Sequence, residues 1–431
     1  MEDDKIAQEA TQLLDRLVRQ GRAFGLHVLL GSQTLGGAYS LARSTIDQMA
    51  VRIALQCSEA DGHIILSDDN SAARLLSRPG EAIYNDANGL VEGNNPFQVV
   101  WLSDEDREVY LENIHALDDR PETRSQIVFE GNAPADVGKN HLLNELLSAP
   151  AWPSGRRAQS AWLGEAMAIK DPTAATFRPQ SGTNLMIVGQ HDESALGILT
   201  MALIGLASQH APEETAHRAA SSRFYILDGS PEDSPHAGYL GRLSGVLPHP
   251  MRVAGWRDLA GPIGELADEV DRRQKANETD APALYLFIYS LQRFRDLRRQ
   301  DDDFGFSRRG EEKPSPAKQF GTILREGPGV GIHTLLWSDS LNNLMRYFDR
   351  QGMREFEMRV LFQMSATDSS VLIDTPLAGK LGLHRALYYS EDQGKLEKFR
   401  PYGVPPEGWL AEVSRLLHVE RPLEAALSVG R

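Results

Sequence analysis

The sequence lacks most features of secreted and membrane-spanning proteins. It has one cysteine among 431 residues, so no disulfide can form within the chain. Cys57 lies in the apolar run VRIALQCS, which predicts a buried structural thiol rather than a nucleophile. No run of about 18 apolar residues occurs, and the start, MEDDKIAQEA, has neither the basic nor the apolar part of a signal peptide. These absences predict a soluble protein of the reducing cytoplasm.

An excess of basic residues is also lacking. Lysine and arginine total 45 against 60 acidic residues, a net charge of −15. This balance argues against a surface that binds nucleic acid throughout, because phosphate binding depends on clustered cations. Basic clusters occur at Arg156–Arg157, Arg293–Arg299 and Arg308–Arg309. Solvated helix faces and loops are the simpler interpretation of each, and a local basic channel is the alternative.

What the sequence does contain is an internal repeat. The segment LVRQGRAFGLHVLLGSQ (residues 17–33) aligns without a gap with ILREGPGVGIHTLLWSD (residues 323–339). Further on, MAVRIALQCSEADGHIIL matches FEMRVLFQMSATDSSVLI, EAIYN matches RALYY, and NPFQVVWL matches EKFRPYGV. The identical pairs include Arg19/Arg325, Gly21/Gly327, Gly25/Gly331, His27/His333, Ser32/Ser338, Arg52/Arg359, Gln56/Gln363, Ser58/Ser365 and Asp61/Asp368. Blocks that recur in one order at nearly one offset indicate a duplicated module.

Each block predicts a helix that ends at the glycine of RQG or REG, a short loop, and a buried strand, HVLLGSQ or HTLLWSD. A second strand follows. The alternation of helices with apolar strands predicts an α/β fold with doubly wound, mainly parallel sheets. Polar residues at the carboxyl ends of such strands face the ligand crevice, and Gln33 and Asp339 lie at those ends.

Four regions follow from this pattern. Residues 1–115 are predicted to be the C-terminal half of one module, and residues 116–160 a linker with one strand, QIVFEG, and one helix, LLNELL. Residues 161–404 are predicted to form a complete second module, and residues 405–431 a C-terminal helical tail. The first copy has no counterpart of the upstream strands. We therefore expect the start of that module in a longer parent chain or in a partner.

The second module has the context of a nucleotide-binding loop. In the pattern GxxxxGK[ST], a strand leads into a loop whose backbone N–H groups surround phosphate, while the lysine neutralises charge and the hydroxyl binds magnesium. The strand NLMIVG and Gly189 match this pattern. The positions of the second glycine, the lysine and the hydroxyl residue hold Ser194, Ala195 and Leu196. The missing lysine contact commonly contributes about 1.5–3 kcal/mol, and Asp192 and Glu193 would repel a triphosphate.

A second requirement of such a site is an acidic pair at the end of another apolar strand, which holds magnesium and polarises the attacking water. The strand ALYLFIY ends instead in Tyr289 and Ser290. Two independent losses predict a degenerate nucleotide site, and an unrelated α/β domain is the alternative. No cluster of His, Cys and carboxylate residues has the spacing of a metal site.

The first copy corresponds to the C-terminal half of the module, opposite the half that carries the nucleotide-binding loop. Gln33 is a candidate sensor of the γ-phosphate, and Arg22 and Arg52 are candidates for trans-acting arginines, with Arg19 a weaker one. Capping of a helix C-terminus is the alternative for Arg22, and an ion pair on a strand face is the alternative for Arg52. The histidines of the repeat, His27 and His333, are interpreted as packing residues.

Taken together, GRAFGLHVLLGSQTL, TIDQMAVRIALQCSEAD, AARLLSRPGEAIYN and NLMIVG resemble the FtsK/SpoIIIE family of motor ATPases, within the FtsK/HerA group of P-loop NTPases. The resemblance is strong over residues 13–102 and fair over 180–402. It implies a P-loop NTPase-like (RecA/FtsK-like) fold, with one partial module and one complete, degenerate module. Several modules in one chain, some with decayed P-loops, resemble the layout of type VII secretion motors.

The resemblance also implies partners and cofactors. Such motors form homo-oligomeric, hexamer-like rings that pull DNA or an exported protein through a channel, and they use ATP and magnesium. We expect this segment to serve the remainder of a parent motor as a regulatory or substrate-docking pseudo-ATPase. A peptide-binding module of a type VII-like secretion motor is one alternative, and a DNA-translocating segment with basic loops at Arg293–Arg309 is another. Membrane association is expected only through a missing N-terminal region.

Overall fold

The computed structural model describes residues 2–32, 43–117, 133–153, 158–168, 170–212, 223–278, 281–299 and 315–423. The chain divides into two compact units, Met1–Ile127 and Val128–Arg431. Gln33 and the predicted strand QIVFEG (residues 126–131) lie outside the described residues, as do Arg156–Arg157 and Arg308–Arg309. No helix in the described ranges is long and apolar enough to cross a membrane.

The described part of unit 1 contains a small antiparallel sheet and four α-helices. Its strands are β1 (Arg52–Leu55), β2 (Glu81–Asn85) and β3 (Asn94–Gln98), paired in the order β1-β2-β3. Its helices are α1 (Glu2–Gln20), α2 (Arg43–Ile46), α3 (Glu59–Ile65) and α4 (Asp104–Ala116). A core of Ala54, Leu66, Ala73 and Ile83 lies between the sheet and α3. Cys57 packs against this core but is only partly buried, and burial raises the pKa of its thiol.

Unit 2 is built on a ten-stranded sheet. Its strands are β4 (Gln159–Ala166), β5 (Thr173–Phe177), β6 (Leu185–Val188), β7 (Arg223–Asp228), β8 (Met251–Ala254), β9 (Leu284–Tyr289), β10 (Ile332–Ser338), β11 (Met358–Leu361), β12 (Ala386–Ser390) and β13 (Lys395–Pro401). The spatial order is β5-β4-β13-β12-β11-β6-β10-β9-β7-β8. The six strands from β11 to β8 are parallel, and β12, β13, β4 and β5 extend the sheet with antiparallel pairs.

Helices cover both faces of the unit 2 sheet. They are α5 (His141–Ser148), α6 (Asp192–Ala207), α7 (Tyr239–Arg242), α8 (Ala260–Ala276), α9 (Pro316–Glu326), α10 (Leu341–Leu344), α11 (Ala366–Ile373) and α12 (Glu407–Leu417). Side chains of β6 alternate between two cores: Leu185 and Ile187 pack with α6, whereas Met186 and Val188 pack on the side of α8 and α9. Every residue of β6, β9 and β10 is buried, as expected for parallel strands covered on both faces. The prediction of a doubly wound α/β fold is confirmed.

The two units repeat the same local geometry, which supports the duplication read from the sequence. In each unit, a helix of the repeat leads into a tight turn that contains the second repeated glycine. This glycine is Gly25 in unit 1, with a φ of 71°, and Gly331 in unit 2, with a φ of 78°. The Gly21 carbonyl accepts from the Leu26 N–H at 2.9 Å, and Gly327 and Ile332 make the same bond at 2.9 Å. The unit 1 sheet β1-β2-β3 corresponds to the antiparallel β11-β12-β13 of unit 2.

The strand predicted for HVLLGSQ in unit 1 is wrong over the described residues 27–32, which have no strand structure. Leu29 and Leu30 are 95% and 43% exposed. The equivalent segment in unit 2 is β10, which lies between β6 and β9 and pairs with both. In the described part of unit 1 no strand occupies either flanking position. A strand is stabilised by hydrogen bonds to neighbouring strands, so an apolar segment without such neighbours is not expected to adopt β structure.

Candidate functional site

The candidate site is the crevice at the carboxyl ends of the parallel strands of unit 2. Here β6 leads into Gly189 and α6, while β9 ends at Tyr289 and β10 is followed by Asp339. The Gly189 N–H donates to the Ser338 carbonyl at 3.1 Å, which ties the loop to β10. Ligands of open α/β sheets bind in this type of crevice. The structure thus places the predicted residues of both halves of the site at one edge of the sheet.

Gly189 has the backbone conformation that a glycine requires. Its φ is 132°, and a Cβ added there would lie 2.8 Å from the Cβ of Phe362. Residues with side chains rarely adopt such a conformation. The turn from β6 to α6 therefore has a tight backbone geometry that requires glycine at position 189.

The remainder of the loop is already helical. Helix α6 begins at Asp192, so only Gln190 and His191 separate it from Gly189. The Ala195 N–H donates to the His191 carbonyl at 2.9 Å and is not free to bind phosphate. Ala195 and Leu196 are 0% and 1% exposed, because they face the core beneath α6. Of the predicted loop positions, only Ser194 is partly exposed.

An aromatic pair occupies the space next to this loop. Tyr289 at the end of β9 stacks on Trp337 of β10, with ring centroids 4.9 Å apart and planes inclined by 28°. The Trp337 Nε1–H donates to the Gly189 carbonyl at 3.0 Å, and the Tyr289 hydroxyl lies 3.5 Å from the Asp192 carbonyl. Both residues are 4% exposed. Side chains of the sheet thus hold both the loop and the first turn of α6.

The electrostatics keep the tyrosine in its neutral form. Burial raises the pKa of Tyr289 far above its ordinary value, and the carboxylates of Asp192 and Asp228 raise it further. A neutral phenol is a hydrogen-bond donor and a poor magnesium ligand. Ser290, the second predicted residue, is buried and has a left-handed backbone with φ 63° and ψ 57°. No acidic pair therefore follows β9.

The part of the crevice that stays open has a volume of about 460 Å³ and is lined mainly by polar residues. Asp192 and Asp339 lie on its walls and Arg293 at its border. The Asp339 carboxylate accepts from Asn343 Nδ2 at 2.7 Å and from the Ser340 hydroxyl at 2.9 Å, which fixes it. In the described ranges, no group of three His, Cys, Asp or Glu residues is arranged to hold a metal ion.

The residues at the crevice do not fit magnesium triphosphate. The lysine position is the buried Ala195, the hydroxyl position is the buried Leu196, and the acidic position is Tyr289. The carboxylates of Asp192 and Asp339 would face a polyanion with like charge. No step of ATP chemistry is derived from this site.

The candidate arginines of unit 1 differ in their surroundings. Arg22 is exposed on the turn Gly21–Phe24. Arg52 is bound within its own unit: its Nε donates to the Met49 carbonyl at 3.1 Å, and its guanidinium donates to the carbonyls of Ile65 and Leu66 at 3.1 and 2.6 Å. These bonds favour a structural role for Arg52 over the predicted trans-acting one.

Arg359, the counterpart of Arg52 in unit 2, makes two equivalent contacts, since Phe356 and Leu372 correspond to Met49 and Ile65. Its Nε donates to the Phe356 carbonyl at 2.9 Å, and its guanidinium donates to the carbonyls of Leu372 and Met353. The repeated arginine thus joins the start of the first antiparallel strand to the end of the following helix in both units. Of the repeated histidines, His333 is buried and its Nδ1–H donates to the Thr183 carbonyl at 2.9 Å, whereas His27 is exposed.

The residue that the sequence analysis missed is Trp337. In the gapless alignment of the repeat it stands opposite Gly31, inside LLWSD against LLGSQ. A glycine exchanged for the largest side chain, in an otherwise similar strand, was the available signal. The exchange indicates that space left open by Gly31 in the first copy is filled by the Trp337 side chain in the second.

No protein-family model matches this sequence, and no curated protein matches it. Among solved structures, the chain is similar to the cytoplasmic domain of the Thermomonospora curvata type VII secretion ATPase EccC, with a TM-score of 0.54 and 18% identity. That match covers 95% of this chain and 48% of EccC. The chain thus spans about half the length of that structure. It has the fold of FtsK/SpoIIIE-type P-loop ATPase domains.

Two further matches have lower TM-scores. EssC (ATPases 2 and 3) from Geobacillus thermodenitrificans matches with a TM-score of 0.45 and 14% identity, over 69% of this chain and 54% of EssC. The pCW3 conjugation coupling protein TcpA, in its monomer form with ATPgS, matches with a TM-score of 0.44 and 11% identity, over 79% of this chain and 91% of TcpA.

Proposed function

We propose that unit 2 is a non-hydrolysing module of an FtsK/SpoIIIE-type translocase and serves it as a regulatory or substrate-docking pseudo-ATPase. The observation that carries this proposal is the stacked pair Tyr289 and Trp337, which fills the acidic side of the crevice and bonds to the loop carbonyls of Gly189 and Asp192. A motor module that hydrolyses ATP needs this space for magnesium and the attacking water.

The charges at the crevice support the same proposal, independently of the space that the aromatic pair fills. A triphosphate in a P-loop is stabilised by a lysine, by magnesium and by free backbone N–H groups. Here the crevice presents the carboxylates of Asp192 and Asp339, and the N–H of Ala195 is used within α6. Each lost charge-assisted hydrogen bond removes about 1.5–3 kcal/mol of binding free energy. Two or three such losses would weaken binding by several orders of magnitude.

The shared fold also supports a proposal about the assembly. We propose that the chain works with further modules of a cytoplasmic motor, which bind ATP and magnesium and form a homo-oligomeric ring around DNA or an exported protein. The exposed Arg22 of unit 1 is a candidate to reach a nucleotide held by another subunit. For duplex DNA as cargo, the affinity of the chain would fall steeply as salt rises. Salt-independent binding, or none at low salt, would leave exported protein as the cargo.

The central test is turnover by the full chain. We expect phosphate release from ATP with magnesium to equal that of a Gln190→Trp variant, in which an indole on an exposed residue that lines the crevice obstructs it. Both preparations carry the same contaminating activities, so only a difference between them reports on the crevice. Micromolar binding of magnesium-ATP with turnover that the variant abolishes would overturn the proposal.

The second candidate function is a non-catalytic, peptide-binding module of a type VII-like secretion motor. It is supported by the open volume of about 460 Å³ beside the aromatic pair, whose walls carry both acidic and basic side chains. Binding of a labelled helical signal peptide, followed by fluorescence anisotropy, tests it. The affinity should fall in Asp339→Asn and stay unchanged in Asp392→Asn, a matched change on the exposed turn after β12. Equal affinities for both variants would exclude the crevice as the peptide site.

A further inference from the structure

A separate pocket lies beside the crevice, where the chain leaves β9. It has a volume of about 580 Å³ and is lined by Trp256, Gln292, Arg293, Arg295, Asp296 and Arg298. Gln292 and Arg293 border both cavities, and the other lining residues belong to this pocket alone. A volume of this size is within the range of small-molecule sites.

The local sequence explains why arginines are displayed there. The run LQRFRDLR forms two short 3₁₀ turns, Leu291–Arg293 and Arg295–Leu297. A 3₁₀ helix has three residues per turn, so every third residue lies on the same face. Leu291, Phe294 and Leu297 follow this period and are buried at 0%, 0% and 2% exposure. The residues between them, Arg293 and Arg295, are consequently held on the outer face of a packed segment.

The charge of the pocket is opposite to that of the protein. Three arginines and one aspartate line it, which is two positive charges net, in a chain of net charge −15. No carboxylate of the described ranges forms an ion pair with Arg293, Arg295 or Arg298. One buried donor of the lining, Nε of Arg298, has no hydrogen-bond partner among the described residues. Grouped guanidinium ions of this kind are stabilised by an anion with several oxygen acceptors.

An aromatic ring stands at the same pocket. Trp256, two residues after β8, is 52% exposed although the guanidinium of Arg257 lies 4.6 Å from the centre of its ring. An exposed indole beside arginines is the combination that binds a base by stacking and its phosphate by charge. An acidic peptide would use the arginines and leave the indole without a role.

We infer that this pocket binds a nucleotide unit, with its phosphate on Arg293, Arg295 and Arg298 and its base on Trp256. The inference does not depend on whether the crevice hydrolyses ATP. The arginines supply the positive charge, so the binding requires no magnesium. Two sources carry this chemistry: a free nucleotide and a nucleotide within a single strand, whose bases are unstacked. The bases of a duplex are not exposed for such stacking.

Calorimetric titration of the full chain in chelator tests this site. The probes are ATP, tripolyphosphate, a ten-residue thymidine oligonucleotide and poly-glutamate. We expect ATP or the oligonucleotide to bind without magnesium. A preference of more than tenfold for the oligonucleotide identifies a single strand as the source, and equal or tighter binding of ATP identifies a free nucleotide. No binding of either, or binding of poly-glutamate as tight as that of both, overturns the inference.

Variants locate the binding and separate its two halves. Arg293→Gln and Arg295→Gln should each weaken ATP or oligonucleotide binding about tenfold, because each removes a charge-assisted bond. Trp256→Ala should weaken it by a similar factor and leave tripolyphosphate affinity unchanged. Arg415→Gln, a matched change on the exposed face of α12, should change nothing. Gln190→Glu adds negative charge at the crevice and not at this pocket, so a loss of affinity in that variant would assign the nucleotide to the crevice and overturn the inference.

Discussion

Truncation of the indole of Trp337 is the most direct perturbation of the crevice. Trp337→Ala removes a side chain that is 4% exposed, stacked on Tyr289 and bonded to the Gly189 carbonyl. Loss of a buried aromatic side chain commonly costs about 3–5 kcal/mol of unfolding free energy. The carbonyl left without its donor adds about 1 kcal/mol. We therefore expect unit 2 to lose about 4–6 kcal/mol.

Urea unfolding followed by circular dichroism measures this loss, with Trp337→Phe as the control. The phenylalanine keeps an aromatic ring against Tyr289 and removes the Nε1–H donor, so it should cost about half as much or less. Free indole should restore part of the stability of Trp337→Ala, because apolar cavities of this kind bind small aromatic molecules. A loss below about 1 kcal/mol in the alanine variant would refute the packing described for the pair.

Trp337→Ala also tests whether the bulk of the indole or the charge of the crevice prevents ATP turnover. Trp337→Ala opens the volume next to Gly189 but leaves Ala195 in the lysine position and the carboxylates of Asp192 and Asp339 in place. We expect no gain of magnesium-dependent ATP turnover. Turnover in this variant, measured against the wild-type chain, would show that the indole alone keeps the site inactive and would contradict the argument from charge.

Three further predictions concern stability. Burial lowers the pKa values of His249 and His333 to about 4, so protonation of these side chains favours the unfolded chain. The stability that they contribute is present above pH 6.5 and is lost as the pH falls toward 4. Urea unfolding at pH 7.5 and at pH 5.5 should therefore show a loss of about 1.4 kcal/mol for each of these two histidines. Arg359→Gln should cost about 3–5 kcal/mol and the half-buried Arg52→Gln clearly less, and equal losses by urea unfolding would contradict the burial argument. Gly189→Ala should lower the thermal unfolding midpoint by several degrees because its Cβ meets Phe362, and an unchanged midpoint would refute that contact.

Most strands of unit 2 could be predicted because their apolar runs are covered on both faces. The runs NLMIV and LYLFIY have no polar face to hide and form β6 and β9. The exception in unit 1 is similarly apolar: HVLLGSQ shares its histidine, both leucines and its serine with the segment HTLLWSD at β10, but its described part is not a strand and Leu29 is exposed. A strand depends on neighbours as much as on its own residues, and a local pattern does not contain those neighbours.

The residues that the site lacks could be predicted from the sequence, but the contacts found in their place could not. The absence of lysine and of an acidic pair is visible in the sequence around Gly189 and after β9. That the indole of Trp337 donates to the Gly189 carbonyl is not visible, because the two residues are 148 positions apart. The contacts of Arg52 could not be predicted for a similar reason: its three acceptors are carbonyl groups, which every residue carries.

The arginine shared by the two units, Arg52 and Arg359, has a consequence for how the two copies are compared. Its guanidinium donates to backbone carbonyls beside the antiparallel strands of its own unit, so it supports those strands. The match between the units at this arginine therefore reflects a shared framework of strands. A difference in function between the units has to be sought at positions where the two copies differ, such as Gly31 and Trp337.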